Sequence, residues 1–296
     1  MSRLYDALAK GPLEVVDSRL HQRVAPPVGS APSRTPVHFV PPETNLPIEE
    51  LSVPMDEPRG EDTSLAIWPS EDLRLVSITD PDGIGAEKFR ALVTRLNHIR
   101  EEGELKALQV TSSVMNEGKT VVSANLAVTL AMYSGAKTLL VEGDLRRPRL
   151  TTRFGLGKLD GLNDWYLAPK KDLAQFTYHL KGMPLWILPA GTLCNQPSHI
   201  LQSTRFANSF AQLVQQFEWV IVDSTPMLPV VDANLWSGVV DGSIIVVREN
   251  MVPVGALKKG LEAMDRPKLV GMVINERLPF NRDRGEEQYY SGIPRV

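Results

Sequence analysis

The chain is 296 residues long with a formal net charge of −3, so it exerts no global attraction on nucleic acid, and no basic run in it resembles a nucleic-acid-binding arm. A hydrophobic fraction of 43% is enough for a sizeable core, while a single cysteine, Cys194, excludes an internal disulfide framework and fits a reducing cytoplasm. There is no window of about 18 uncharged apolar residues and no signal-peptide core at the N-terminus, so the expected location is cytoplasmic, with any link to a membrane made through a partner.

In chain order, residues 1–10 are expected to form a short amphipathic helix, with Ser2 as N-cap, Leu4, Tyr5 and Leu8 on one face, and Gly11-Pro12 as its stop. So short a helix cannot bury its stripe alone and needs either a docking partner or its own domain. Residues 11–70 hold 11 of the 23 prolines, which bars long helices and central strands and predicts a disordered or extended linker. Residues 71–277 are predicted to form one domain and residues 278–296 a flexible polar tail.

Within the domain, order resumes near Leu73, and a helix period runs from Gly85 to Arg100 through Phe89, Leu92, Leu96 and Ile99. Strands are expected at 106–112, 138–143, 185–189, 219–223, 242–247 and 269–275, and helices at 118–134, 203–217, 232–239 and 254–264. The stretch 151–178 is weakly patterned. This alternation predicts an α/β fold, a mostly parallel sheet with helices on both faces and right-handed crossovers.

Between the first strand and its helix stands Thr111-Ser-Ser-Val-Met-Asn-Glu-Gly-Lys-Thr120. A polyphosphate needs converging backbone N–H groups, a positive helix end, an ammonium and a hydroxyl for its magnesium. Gly118, Lys119 and Thr120 supply the last three parts, although the first glycine of the usual phosphate-loop pattern is replaced by Ser113. Two later strands also end in acids: Thr138-Leu-Leu-Val-Glu142 leads into Gly-Asp144-Leu-Arg-Arg-Pro148, and Trp219-Val-Ile-Val-Asp223 into Ser-Thr-Pro226. Three strand ends of this kind place a cation and acids along one sheet edge, which reads as a Mg-nucleotide site in a P-loop NTPase. The nucleotide-binding set is Ser113, Val114, Met115, Asn116, Glu117, Gly118, Lys119, Thr120, Val121 and Asn275.

The ordered set Glu87-Lys-Phe-Arg90, the loop at 111–120, Asn125-Leu-Ala127, Asp144-Leu-Arg-Arg-Pro148, Leu-Pro-Ala-Gly191, Asn195-Gln-Pro-Ser-His-Ile-Leu201 and Val-Asp223-Ser-Thr-Pro resembles the bacterial tyrosine kinases. These are the CpsD/CapB-type proteins of capsule and exopolysaccharide production. The likeness covers roughly residues 73–276, and the opening Met1-Ser-Arg-Leu-Tyr-Asp-Ala-Leu resembles soluble, exosortase-associated members. The resemblance implies ATP and Mg²⁺ as cofactors, a membrane-embedded chain-length or co-polymerase partner, and possible homo-oligomers. It implies that Lys119 neutralises the β and γ oxygens, that Thr120, Asp144 and Asp223 hold the metal, and that Glu142 takes the place of the usual aspartate as proton acceptor. Asn275 then lies near the adenine, and Tyr289 and Tyr290 in the tail are the phosphoacceptors. The helix motif through which family members form rings is matched at Glu87 and Arg90, with Val93 at its third position. Asn116 stands at a usual glycine and is a residue that tolerates the left-handed backbone. Two other functions fit the same residues: a non-catalytic ATP-binding co-polymerase subunit that switches partner contacts, and a partition ATPase. That second group carries a further lysine in its loop, where this chain has Val114.

Overall fold

Three strands are buried at every position, β1 (Ala107–Ser112), β2 (Thr138–Glu142) and β5 (Trp219–Asp223), which is possible only if both faces of their sheet are covered. The computed structural model describes residues 64–194, 196–228, 231–248, 254–263 and 268–275. Their seven-stranded sheet has the order β3-β4-β2-β5-β1-β6-β7, with β3 (Tyr178–Leu180), β4 (Leu185–Leu188), β6 (Gly242–Arg248) and β7 (Leu269–Asn275). Every neighbouring pair is parallel except β3, which runs antiparallel along the edge of β4.

Alternate residues of one strand feed opposite cores, as the period of two requires. Leu139 and Val141 of β2 and Val220 and Val222 of β5 point into one, Leu140 and Ile221 into the other. On the second side lie α2 (Ile84–Glu102) and α3 (Lys119–Ser134), with Val93, Leu96, Leu126 and Leu130 fully packed. That side also takes α4 (Leu150–Arg153), through Leu150, and a short α1 (Val76–Thr79) stands at the domain's start; on the first lie α5 (Leu162–Leu167), α6 (Pro197–Leu201), α7 (Thr204–Val214) and α8 (Asp232–Val239). Phe206, Phe210 and Trp236 form the centre of that layer, with ring centroids 5.4 to 5.6 Å apart. A helix α9 (Val254–Ala263) precedes β7.

The weakly patterned stretch contains α4, α5, a 3₁₀ turn at Leu173–Phe176 and the antiparallel β3. These pieces are three to six residues long, too short to show a period, yet Leu162, Trp165, Leu173 and Phe176 are core residues. The domain also begins earlier than 71. Residues 64–70, assigned to the linker, run beside β3 and α4: the Leu65 N–H donates to the His179 carbonyl at 2.8 Å, Trp68 to Phe154 at 2.9 Å and Ser70 to Arg153 at 2.7 Å. The expected N-terminal helix, the linker up to residue 63, and the tail with Tyr289 and Tyr290 lie outside the described residues.

Candidate nucleotide site

Because β1, β2 and β5 are in register, with Val110 beside Asp223 and Asp223 beside Glu142, their carboxyl ends open onto one edge. The phosphate loop leaves β1 there and enters α3 at Lys119. Two of its residues take the left-handed backbone, Asn116 at φ 67° and Gly118 at φ 92°, so the asparagine adopts the conformation its chemistry tolerates. A Cβ on Gly118 would collide with the amide of Asn275, whose Nδ2 donates to the Glu117 carbonyl at 3.0 Å. The last strand thus touches the loop through the residue assigned to the base side.

Glu117 turns inward, fully buried, where Oε2 accepts from the Val114 N–H at 2.8 Å and Oε1 from the Arg248 N–H at 3.3 Å. Burial pushes its carboxyl above the usual range, against the pull of these backbone donors. The Glu117 side chain and the Val114 N–H therefore brace the loop; they are not offered to a phosphate. Met115 is exposed on the rim, and Val121 lies in the first turn of α3. Buried Asn125 closes the far side: its Oδ1 accepts from the Val76 N–H at 2.8 Å and its Nδ2 donates to the Arg74 carbonyl at 3.0 Å, tying α3 to the chain ahead of α1.

At the mouth, Lys119 Nζ lies 3.3 Å from Asp144 Oδ2, with both side chains about one-seventh exposed. Asp223 accepts from the Ser123 hydroxyl at 3.2 Å and from the Thr120 hydroxyl. Burial raises the Asp223 carboxyl; the Lys119 charge and the two hydroxyls oppose this, and Asp144 adds to it. Two hydroxyl oxygens stay buried without a protein partner beside this cluster, Ser113 Oγ and Thr225 Oγ1.

Glu142 is not part of the cluster. Its side chain is 2% exposed, and both oxygens are occupied: Oε1 by the Leu150 N–H at 2.6 Å and the Thr151 N–H at 3.3 Å, Oε2 by the Thr151 hydroxyl at 2.6 Å and the Ala190 N–H at 3.1 Å. It caps α4 and holds the end of β4, so the expected proton acceptor has no open lone pair for an incoming hydroxyl. A second brace went unread in the sequence. Arg146 donates to both oxygens of buried Asp232, at 2.6 and 3.2 Å, and to the Ser198 hydroxyl at 2.9 Å, joining the loop after β2 to α6 and α8. The Asp144-Leu-Arg146 spacing is its only sequence signal. Of the ring motif, Glu87 and Arg90 pair with each other at 2.7 Å, and Val93 is a fully buried core residue.

The donor set suits magnesium. Hydroxyl and carboxylate oxygens of Thr120, Asp144 and Asp223 are hard ligands, and Mg²⁺ is commonly held by one or two carboxylates together with substrate phosphates. Among the described residues no three His, Cys, Asp or Glu side chains gather to cage a metal by themselves.

The largely parallel sheet, with its Gly-Lys-Thr loop running from a central strand into a helix, defines a P-loop NTPase fold. No model of a known protein family matches the chain. The tyrosine-protein kinase CpsD of Streptococcus pneumoniae is 31% identical over 200 residues, 67% of this chain and 86% of that protein. The succinoglycan biosynthesis transport protein ExoP of Rhizobium meliloti is 30% identical over 220 residues, 70% of this chain but 27% of its own length. The kinase domain of the Escherichia coli tyrosine kinase ETK superposes with a TM-score of 0.63 at 26% identity, over 74% of this chain and 84% of that domain. The chain belongs to the bacterial tyrosine kinase family of the CpsD/CapB type.

Proposed function

We propose that the chain is a Mg-ATP-dependent protein-tyrosine autokinase that regulates capsule or exopolysaccharide assembly through a membrane-embedded co-polymerase partner. The observation that carries this reading is the meeting of Lys119, Thr120, Asp144 and Asp223 at the mouth of the phosphate loop. Likeness to CpsD supports the kinase and likeness to ExoP the polysaccharide context. Among the described residues no helix is long and apolar enough to cross a membrane, in keeping with recruitment by a partner.

Phosphoryl transfer requires mainly placement and charge neutralisation. Lys119 neutralises charge on the β and γ oxygens, and the free N–H groups of the loop and the start of α3 hold the phosphates. Thr120 and Asp223 would hold Mg²⁺, which would draw charge from the transferring group. The tyrosine oxygen bonds to the γ phosphorus, the bond to ADP breaks, and the tyrosine proton passes to a carboxylate. Asp144 takes that proton in this reading, since it is the partly exposed acid beside Lys119, and Glu142 acts as a brace.

Saturation of Glu142 also favours a second reading, a subunit that binds ATP and switches partner contacts without transferring phosphate. Intact-mass spectrometry before and after Mg-ATP, with peptide mapping of the tail, separates the two. A kinase gains phosphate on Tyr289 or Tyr290 and loses it in Lys119→Met. ATP binding with no added mass would reject the kinase.

A further inference from the structure

We propose that Arg147 and Arg149 form the acceptor-recognition surface of this site, and that they read Glu286 and Glu287 in the tail of a second copy of the chain. The inference rests on the reading that Tyr289 and Tyr290 accept phosphate, and it identifies what selects them.

The segment 145–153 contains four arginines and no acid. One of them, Arg146, is neutralised by Asp232. Arg147 and Arg149 are exposed, and among the described residues neither has a carboxylate partner. The nearby acids are spent elsewhere: Asp144 pairs with Lys119, Asp232 with Arg146, and Glu142 is buried beneath α4 with its oxygens filled. Positive charge therefore stands uncompensated at one place on the rim.

That place is the entrance. The Arg147 N–H donates to Asp144 Oδ1 at 3.1 Å, and its Nη1 lies 3.4 Å from Met115 Sδ, on the exposed lip of the phosphate loop. Lys119 and the start of α3 already serve the triphosphate from inside. A guanidinium on the outer lip meets whatever chain brings a hydroxyl to Asp144. Arg149 follows two residues later, at the start of α4.

The tail supplies the complement. Residues 285–291 read Gly-Glu-Glu-Gln-Tyr-Tyr-Ser, with two negative charges one residue ahead of the tyrosine pair and no positive charge among them. In an extended chain Glu287 stands about 7 Å and Glu286 about 10 Å before Tyr289. Arginine forks bind carboxylates in pairs of hydrogen bonds, which gives register as well as attraction.

The test titrates a fluorescein-labelled peptide of residues 285–292 into the full-length protein with Mg-ADP, read by anisotropy. Arg147→Ala with Arg149→Ala is expected to weaken binding about tenfold, the scale of two paired charges at a rim. A peptide carrying Glu286→Gln and Glu287→Gln should lose a similar factor on wild type and nothing further on the variant. Charge reversal on both sides, Arg147→Glu with Arg149→Glu against Glu286→Lys with Glu287→Lys, should restore most of the affinity. Additive losses, equal affinity for the neutral peptide, or no binding of the wild-type peptide would overturn the proposal. Phosphate incorporation from Mg-ATP is measured separately. Selective binding without incorporation rejects the kinase and leaves this surface standing, whereas incorporation into both peptides with equal KM keeps the kinase and overturns the docking.

Discussion

Two acids stand two residues apart at the end of β2, and their surroundings give them opposite capacities. Asp144 reaches the open mouth, where it meets the Lys119 ammonium and one backbone N–H. Glu142 lies under α4, with three backbone N–H groups and a hydroxyl aimed at its two oxygens. The number of donors already committed to a carboxylate, more than its place in a motif, determines whether it can take a metal, a proton or a phosphate. The same contrast separates Lys119, aimed into the mouth, from Glu117, folded back into the loop as a strut.

Substitution can break or sharpen that contrast. The largest expected effect comes from Lys119→Met, which removes the cation at the phosphates and should lower phosphate transfer by roughly a hundredfold to a thousandfold, measured by label transfer from ATP. Asp144→Asn should follow, with a loss on the order of a hundredfold in transfer and little change in melting temperature, since its pairing is partly exposed. Glu142→Gln should do the reverse. It leaves buried N–H groups facing an amide NH₂ and costs about 1–3 kcal/mol in denaturant unfolding, while transfer in the folded protein stays within a few-fold of wild type.

Smaller effects test the loop. Gly118→Ala forces a side chain into a left-handed backbone and against Asn275, and should cost about 1–2 kcal/mol of stability and roughly tenfold in ADP affinity by calorimetry. Asn275→Ala removes one hydrogen bond to the Glu117 carbonyl and should weaken ADP only a few-fold.

Much of this architecture is written in the sequence. The apolar runs of β1, β2 and β5 are legible because burial on both faces demands continuous hydrophobicity, and α3 because Gly118-Lys119-Thr120 marks its start. The meeting of Lys119, Asp144 and Asp223 follows from strand ends that share one edge. What sequence spacing does not carry is the set of donors that reach a side chain from elsewhere. Glu142 has the motif position of a base, but its partners come from Leu150, Thr151 and Ala190, 8 to 48 residues further on. The Arg146 brace likewise depends on Asp232, 86 residues away. The pieces between residues 150 and 180 escape notice because a four-residue helix or a three-residue edge strand has no period to detect.

The measurement that bears most directly on the central claim compares single-turnover phosphate transfer in Glu142→Gln and Asp144→Asn, each held below its own melting temperature. The account predicts near wild-type transfer with a lowered melting temperature for Glu142→Gln, and about a hundredfold loss with unchanged melting for Asp144→Asn. A hundredfold loss in Glu142→Gln with its stability intact, beside an active Asp144→Asn, would contradict it and return the role of base to Glu142.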